Sequence, residues 1–290
     1  MIKWMATPFL CSSFLFLLAC GSSEINSGTP KQDAAQTSAQ NNIAQSYRVE
    51  TIAQLNEPWA IISLPDQRLL ITEHKAQLKL FDPQTKSSIN VSGVPAVSYG
   101  GQGGLGDVIL HPDFQNNHWL YLSYASKGQD GYGAEISRAK LDLSNPAQPK
   151  LTDLKTIWQQ VPKVSGQGHY GHRMMFGPDG KLWVSSGERQ KFDPAQDMQS
   201  NLGKILRLND NGTPVKDNPF IQQGGVTAQI WSLGHRNPLG MAFDPQGQLW
   251  VVEMGPKGGD ELNRIVKGEN YGYPIVSNGD HYSGLPIPDH

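Results

Sequence analysis

Two stretches of the chain, RMMFGPDGKLWVSSGE at residues 173–188 and GMAFDPQGQLWVVEMG at residues 240–255, follow the same pattern. Each has an apolar segment, then a turn with proline and glycine, then a second apolar segment that begins Leu-Trp-Val. Proline fixes φ in such a turn and glycine accepts a positive φ. The flanking segments have the composition of β-strands. Each stretch therefore predicts a β-hairpin.

The same pattern occurs twice earlier, as PWAIISLPDQRLLITEH at residues 58–74 and GLGDVILHPDFQNNHWLYLSY at residues 104–124. The turn prolines of the four stretches are spaced 47, 66 and 67 residues apart: Pro65, Pro112, Pro178 and Pro245. This spacing leaves room for two more strands after each hairpin, as in the four-stranded blades of a β-propeller. A β-sandwich or a pair of barrels is the alternative, but sandwiches rarely keep one turn motif at regular intervals.

We therefore predict an all-β protein whose residues 47–290 form a β-propeller domain. Four full repeats are visible and a partial fifth begins at about Tyr271, so four to five blades are expected. A ring must bury every blade against a neighbour, yet the chain stops at the loop-like SGLPIPDH. This ending predicts that the domain is incomplete at its C-terminus. A four-bladed ring is the alternative.

Composition supports this fold and excludes one class of function. The 290 residues include 31 glycines and 20 prolines, which suit many turns and disfavour long helices. The formal net charge is -2. A nucleic-acid-binding protein needs a basic face to meet phosphates, so this near-neutral charge argues against that class.

The first residues are predicted to be a targeting segment. Lys3 and the apolar FLCSSFLFLLAC have the form of a signal peptide. Leu17 to Gly21 resemble the bacterial lipobox, so residues 1–20 are interpreted as a lipoprotein signal peptide and Cys20 as the lipidated residue. The alternative is an ordinary secretory signal. No Asp follows Cys20, a pattern that resembles lipoproteins of the Gram-negative outer membrane. The prediction is a periplasm-facing protein that reaches the membrane only through its lipid.

Residues 21–46 are rich in Ser, Gln, Asn and Ala and offer little apolar surface to bury. They are predicted to form a disordered tether between the lipid and the propeller. Cys11 would leave with the signal peptide. The propeller domain itself contains no cysteine.

Four loops interrupt the repeat pattern at comparable places, which makes them candidates for one shared site. YGGQGGLGD (99–107) carries Gln102 among glycines, and SGQGHYGHR (165–173) carries two histidines. Imidazole is the usual general base near neutral pH. LGHRNPLG (233–240) has a guanidinium suited to carboxylate or quinone oxygens. EMGPKGGDELN (253–263) combines carboxylates with backbone carbonyls, the ligands that calcium prefers. For each loop a purely structural role is the alternative.

Taken together, GGQGGLGDVILHPDF, HYGHRMMFGPDGKLWVSSGER, NLGKILRLNDNGTPVKDNPF, IWSLGHRNPLGMAFDP and MGPKGGDELNRIVKGENYGYP resemble the soluble, pyrroloquinoline-quinone-dependent aldose sugar dehydrogenases. The resemblance runs from about Pro58 to the end of the chain. It implies a six-bladed propeller, calcium, and oxidation of aldoses at the anomeric carbon to the lactone. The electron acceptor would be a quinone or a cytochrome.

The resemblance also implies roles for individual residues. His169 would be the general base, and Gln102 and Tyr282 would contact the sugar. Arg236 and Asn237 would contact the cofactor, with Arg236 stabilising charge that develops on the quinone. The carbonyls of Gly255 and Pro256 would hold the catalytic calcium. A second, structural calcium site would use Glu261 and Tyr271.

The chain departs from the family at His172, where a small residue is common, so this side chain would either crowd or assist His169. Three alternatives remain open. A sorbosone-type dehydrogenase or a calcium-dependent lactonase could use the same propeller, although a lactonase would not need Arg236 beside Asn237. A non-catalytic propeller would bind calcium without reducing a quinone. Fold alone does not decide among them.

Overall fold

The computed structural model describes residues 48–290, which form four antiparallel sheets, each of strands consecutive in the chain. The first sheet contains β1 (Pro58–Ser63), β2 (Leu69–Glu73), β3 (Gln77–Asp82) and β4 (Ser87–Val91). The second contains β5 (Leu105–Leu110), β6 (Trp119–Lys127), β7 (Tyr132–Asp142) and β8 (Lys150–Gln159). The third contains β9 (Gly171–Phe176), β10 (Leu182–Ser186), β11 (Lys204–Leu208) and β12 (Ile230–Leu233). The fourth has three strands, β13 (Pro238–Phe243), β14 (Leu249–Glu253) and β15 (Glu261–Arg264).

Helical structure in the described residues is short. Helix α1 (Phe114–Asn117) joins β5 to β6, and three 3-10 turns span Asp193–Ala195, Ile221–Gln223 and Thr227–Gln229. Within residues 48–290, no helix is long and apolar enough to cross a bilayer. The predicted signal peptide, Cys20 and the tether lie outside the described residues.

All four predicted hairpins form, as β1–β2, β5–β6, β9–β10 and β13–β14. In the turns that define the repeat, Gly180 and Gly247 have φ values of 69° and 80°, which only glycine adopts readily. The N–H of Gly180 donates to the carbonyl of Gly177 at 2.9 Å, and the N–H of Gly247 donates to that of Asp244 at 2.9 Å. The turn chemistry in the sequence therefore sets the register of these hairpins.

The sheets are arranged as propeller blades. β1 contacts β5, β5 contacts β9, and β9 contacts β13, so the first strand of every sheet lies innermost, at a central channel. Apolar side chains fill the space between successive sheets, including Leu70 and Leu120, then Tyr121 and Leu206, then Trp183 and Val251. Burying one such side chain is worth roughly 1.5–3 kcal/mol. The predicted all-β propeller is confirmed, with about four blades in this chain.

Each innermost strand begins with an irregular register. The shifts lie between Pro58 and Ala60, between Leu105 and Val108, opposite Gly171 at Val184 to Ser186, and between Pro238 and Gly240. A bulge bends its strand and re-aims the side chains beside it. Because all four irregularities lie at the same end of the blades, the loops that enter these strands turn towards the channel mouth there.

The predicted start of a fifth blade at Tyr271 is wrong. Residues 265–290 contain no strand, only isolated bridges at Asn270 and Asp280. This segment carries Pro274, Pro286 and Pro288, which have no N–H to donate to a ladder. It folds as loops instead, and Tyr273, His281, Tyr282 and Ser283 of this segment line a cavity. The expectation of further blades beyond residue 290 stays a prediction.

Candidate active site

A cavity of about 440 Å³ lies where the four interrupting loops converge. Its lining includes five residues proposed from the sequence: Gln102, His169, Arg236, Pro256 and Tyr282. These come from the entry loops of β5, β9 and β13, the exit loop of β14, and the C-terminal segment. The site therefore draws on segments far apart in sequence, which the propeller brings to one end of the channel.

His169 is held in a fixed orientation at this cavity. Its backbone N–H donates to Oε1 of Gln102 at 2.7 Å, and its Nδ1 lies 2.5 Å from Oε1 of Glu188. The backbone of His169 has a φ of 46°, a left-handed conformation that is unfavourable for most side chains. With Nδ1 engaged by Glu188, Nε2 is the nitrogen left to face the cavity. This is the arrangement that a general base requires.

Glu188 is a cavity residue that the sequence did not predict. Its side chain is 0% exposed, and its Oε2 accepts from the backbone N–H groups of Lys191 at 2.5 Å and Phe192 at 2.8 Å. Burial by itself raises the pKa of Glu188, but the hydrogen bonds from His169, Phe192 and Lys191 outweigh it and hold this pKa below its usual range. The carboxylate is therefore charged and can orient the imidazole. Glu188 lies two residues after the end of β10, outside the apolar segments of the repeat pattern, so no local signal marked it.

Arg189 supports the loop that carries His169. The guanidinium is buried and donates to the carbonyls of Gly168 at 2.8 Å, Gly166 at 2.6 Å and Tyr132 at 2.5 Å. It also lies 3.7 Å above the ring centre of Tyr170. A planar guanidinium with five donors can satisfy several carbonyls at once, which explains why arginine stands here rather than lysine.

Arg236 and the loop after β14 form the opposite side of the cavity. The backbone N–H of Arg236 donates to Oε2 of Glu253 at 2.7 Å, and Nη1 donates to the carbonyls of Met254 at 2.9 Å and Gly255 at 2.6 Å. The side chain is buried, and its Nε has no hydrogen-bond partner among the described residues. An unpaired buried donor is costly, so this guanidinium is suited to an additional acceptor in the cavity.

Asn237 lines a neighbouring cavity of about 340 Å³ rather than the first one. The two cavities share Gln102 and Met254 in their linings. Oδ1 of Asn237 accepts from the N–H of Gly171 at 3.1 Å, so its amide NH₂ is the group left to donate. Arg236 and Asn237 are therefore neighbours in the sequence, but they line two adjoining cavities.

His172 does not share the environment of His169. Its Nδ1 lies 2.8 Å from Oγ of Ser123, and its ring stacks on Trp59 with the centroids 5.1 Å apart. Burial, with a smaller effect from the positive charge of Arg173, lowers the pKa of His172 to about 3. At neutral pH this imidazole is uncharged, and it lines the second cavity.

The residues predicted as metal ligands differ in their burial and in their hydrogen-bond partners. Gly255 and Pro256 are buried beside the first cavity, with their carbonyls near Arg236 and Gly259. Glu261 accepts from Asn263 at 2.9 Å, whereas the hydroxyl of Tyr271 is bonded to the backbone of residues 264 and 266. Within residues 48–290, no three His, Cys, Asp or Glu side chains are grouped to hold a metal ion. The second calcium site at Glu261 and Tyr271 stays a prediction.

Comparison with known proteins identifies the family. The family described as Glucose / Sorbosone dehydrogenase matches residues 55–290. An aldose sugar dehydrogenase of Escherichia coli is 43% identical over 241 residues, covering 81% of this chain and 64% of that protein. Quinoprotein glucose dehydrogenase B of Acinetobacter calcoaceticus is 34% identical over 259 residues, covering 80% of this chain and 53% of that protein.

A solved structure shows the same similarity in three dimensions. The PQQ-bound form of an aldose sugar dehydrogenase from Streptomyces coelicolor has a TM-score of 0.72 and 34% identity, covering 83% of this chain and 69% of that one. The chain thus spans a little more than half to about two thirds of the length of these proteins. The family match covers most of the chain and all four sheets. The chain belongs to the glucose/sorbosone dehydrogenase family.

Proposed function

We propose that the protein is a quinoprotein aldose dehydrogenase that oxidises the anomeric carbon of an aldose to the lactone. The observation that carries this proposal is the cavity in which His169, oriented by a buried carboxylate, and Arg236 are both present. The names of the relatives support it, since one is an aldose sugar dehydrogenase and another a quinoprotein glucose dehydrogenase.

The residues of the cavity fit pyrroloquinoline quinone. The cofactor is an anionic, flat molecule with carbonyl oxygens, and it needs donors and positive charge around it. Arg236 offers both, because its Nε is buried without a partner among the described residues. The amide of Asn237 is a second free donor in the adjoining cavity. The related Streptomyces enzyme has a PQQ-bound structure, which supports the same cofactor here.

The loop after β14 fits calcium less completely. Backbone carbonyls are suitable ligands for this hard cation; that of Gly255 accepts from Arg236 and that of Pro256, a cavity-lining residue, accepts from the N–H of Gly259. Only two protein ligands are supplied in this way, so water, and the cofactor when it is bound, would complete the coordination. In the proposal, Gly255 and Pro256 hold the ion and Arg236 and Asn237 hold the cofactor.

When bound, the quinone supplies an acceptor for the hydride that leaves the anomeric carbon, and calcium polarises it as a Lewis acid. The protein moves the proton. Nε2 of His169 accepts the proton of the anomeric hydroxyl, and Glu188 stabilises the imidazolium that results. Arg236 stabilises negative charge that develops during the transfer. Gln102 and Tyr282 lie beside His169 in the same lining and position the sugar.

The test is reconstitution of the full-length protein with calcium and pyrroloquinoline quinone, followed by dye reduction with a panel of aldoses. We expect reduction that depends on the sugar, on the cofactor and on calcium. Tight cofactor binding without reduction by any aldose would contradict the substrate class and would favour a sorbosone-type reaction. Hydrolysis of lactones without cofactor would favour the lactonase. Absence of cofactor binding would favour the non-catalytic propeller.

We also propose that the protein is a lipoprotein anchored through Cys20, facing the periplasm at the outer membrane of a Gram-negative bacterium. Electrons would then pass to a quinone or a cytochrome. Replacing Cys20 by serine removes the acylated thiol, so we expect the protein to move from the membrane fraction to the soluble fraction. Cys11→Ser is the matched control, because that residue precedes the cleavage site, and it should leave the distribution unchanged. A Cys20→Ser protein that stays with the membrane would contradict the anchor.

A further inference from the structure

The side chain of Arg236 is hydrogen-bonded to a carbonyl oxygen that the proposed calcium ion would need as a ligand. Nη1 lies 2.6 Å from the carbonyl oxygen of Gly255 and 2.9 Å from that of Met254. Both hydrogen bonds use the same nitrogen. A positively charged group therefore already sits on one of the two backbone oxygens assigned to the metal.

The backbone N–H of Arg236 has a hydrogen-bond partner, whereas only some of the N–H donors of its side chain have one. The backbone N–H is bound to Oε2 of Glu253 at 2.7 Å, and that carboxylate also accepts from Asn263 and contacts His235. By contrast, the buried Nε has no partner among the described residues. A guanidinium has five N–H donors, so its present position leaves part of its bonding capacity unused. Movement of the side chain alone can relieve this.

A guanidinium and a calcium ion cannot both bind the Gly255 carbonyl favourably. A calcium–oxygen bond is about 2.4 Å long, and Nη1 lies 2.6 Å from the same oxygen. The two cations would then lie within about 5 Å of each other, with little water between them to screen their repulsion. One of them has to withdraw.

We propose that Arg236 is an internal cation that holds the Gly255 carbonyl when calcium is absent, and that calcium displaces it into the cavity. Displacement gives the guanidinium access to an anionic cofactor, so calcium and cofactor both favour the displaced side chain. By linkage, each then tightens binding of the other. Because this proposal rests on the calcium site proposed above, its test measures calcium binding directly, without cofactor or sugar.

The experiment is calorimetric titration of calcium into the full-length, cofactor-free protein and its Arg236→Met variant. Methionine fills a similar volume without charge or donors, so the carbonyl becomes free. We expect the variant to bind calcium about tenfold more tightly, the size of effect that loss of one charged hydrogen bond produces. Removing any nearby positive charge would also help a cation to bind. The matched control is therefore Lys257→Met, one residue after Pro256 and exposed, for which we expect a change of less than about twofold.

A second measurement uses the unaltered protein and covers the case in which the variant does not fold. Phenylglyoxal modifies accessible arginines, and peptide mapping reports Arg236 separately. We expect calcium to speed modification of Arg236 several-fold while Arg189 stays protected. Equal calcium affinities for the protein and Arg236→Met, or modification that calcium does not change, would overturn the displacement but leave the calcium site standing. No calcium binding to any form would overturn both.

Discussion

Replacing His169 by asparagine is expected to lower the kcat of aldose oxidation about 1,000-fold, the scale of loss when a general base is removed. Asparagine is preferred to alanine for this test because the φ of 46° at this position is left-handed, and asparagine tolerates that conformation better. The backbone and its bond to Gln102 can then be kept while the proton acceptor is lost. Steady-state dye reduction at saturating cofactor measures the effect.

His118→Asn is the control for this substitution. His118 is exposed, has a φ of 56° and does not line the cavity. It therefore tests the same chemical change at a left-handed histidine outside the site, and kcat should stay unchanged. Binding of pyrroloquinoline quinone to His169→Asn should also be retained, because the cofactor is assigned to Arg236 and Asn237. A kcat within about threefold of the unaltered protein would remove His169 from the reaction.

Glu188→Gln is expected to lower kcat by up to about 10,000-fold, although the substitution preserves size and shape. The Oε2 position accepts from two backbone N–H groups, those of Lys191 and Phe192. The amide oxygen of glutamine must take that place, so its NH₂ group faces Nδ1 of His169. Nδ1 then has to accept, the proton moves to Nε2, and Nε2 can no longer take a proton from the sugar. Nitrogen-15 NMR of the imidazole would show the change of tautomer directly.

Glu135→Gln is the matched control, since Glu135 is also a mostly buried carboxylate, is bonded to Lys163, and does not line the cavity. Its kcat should be unaffected. The pH dependence of stability should also differ between Glu188→Gln and the unaltered protein. Because the pKa of Glu188 is lowered in the fold, its charge stabilises the protein above its ordinary value of 4.5 and ceases to do so as pH falls through the folded pKa. Acid unfolding of Glu188→Gln should lack this contribution. An unchanged tautomer with a normal kcat would contradict the orienting role.

The architecture was largely predictable from the sequence, because the residues of a short local turn specify each repeat. The Pro-Asp-Gly and Pro-Gln-Gly turns, with Gly180 and Gly247 at positive φ, specify hairpins without reference to the rest of the chain. The fifth blade was predicted wrongly, because Pro274, Pro286 and Pro288 remove ladder donors from the segment that begins at Tyr271.

The site was predictable only where a loop breaks the repeat. Gln102, His169, Arg236, Pro256 and Tyr282 were found in this way, and they share one cavity. Glu188 was missed because its role depends on meeting a loop that lies 19 residues away in sequence. The contact between Arg236 and the Gly255 carbonyl joins two loops separated by a whole hairpin. No local pattern encodes such a pairing, since it arises only when blade ends meet.

The four sheets and the cavity differ in how much of the chain each one needs. Every sheet uses strands that follow one another, so each blade can pair without residues from later in the chain. The cavity needs Gln102 from before β5 together with Tyr282 and Ser283 near residue 290. Hydrogen-bonded blades can therefore form before the cavity does. A chain interrupted before Tyr282 would thus contain blades yet lack part of the proposed site.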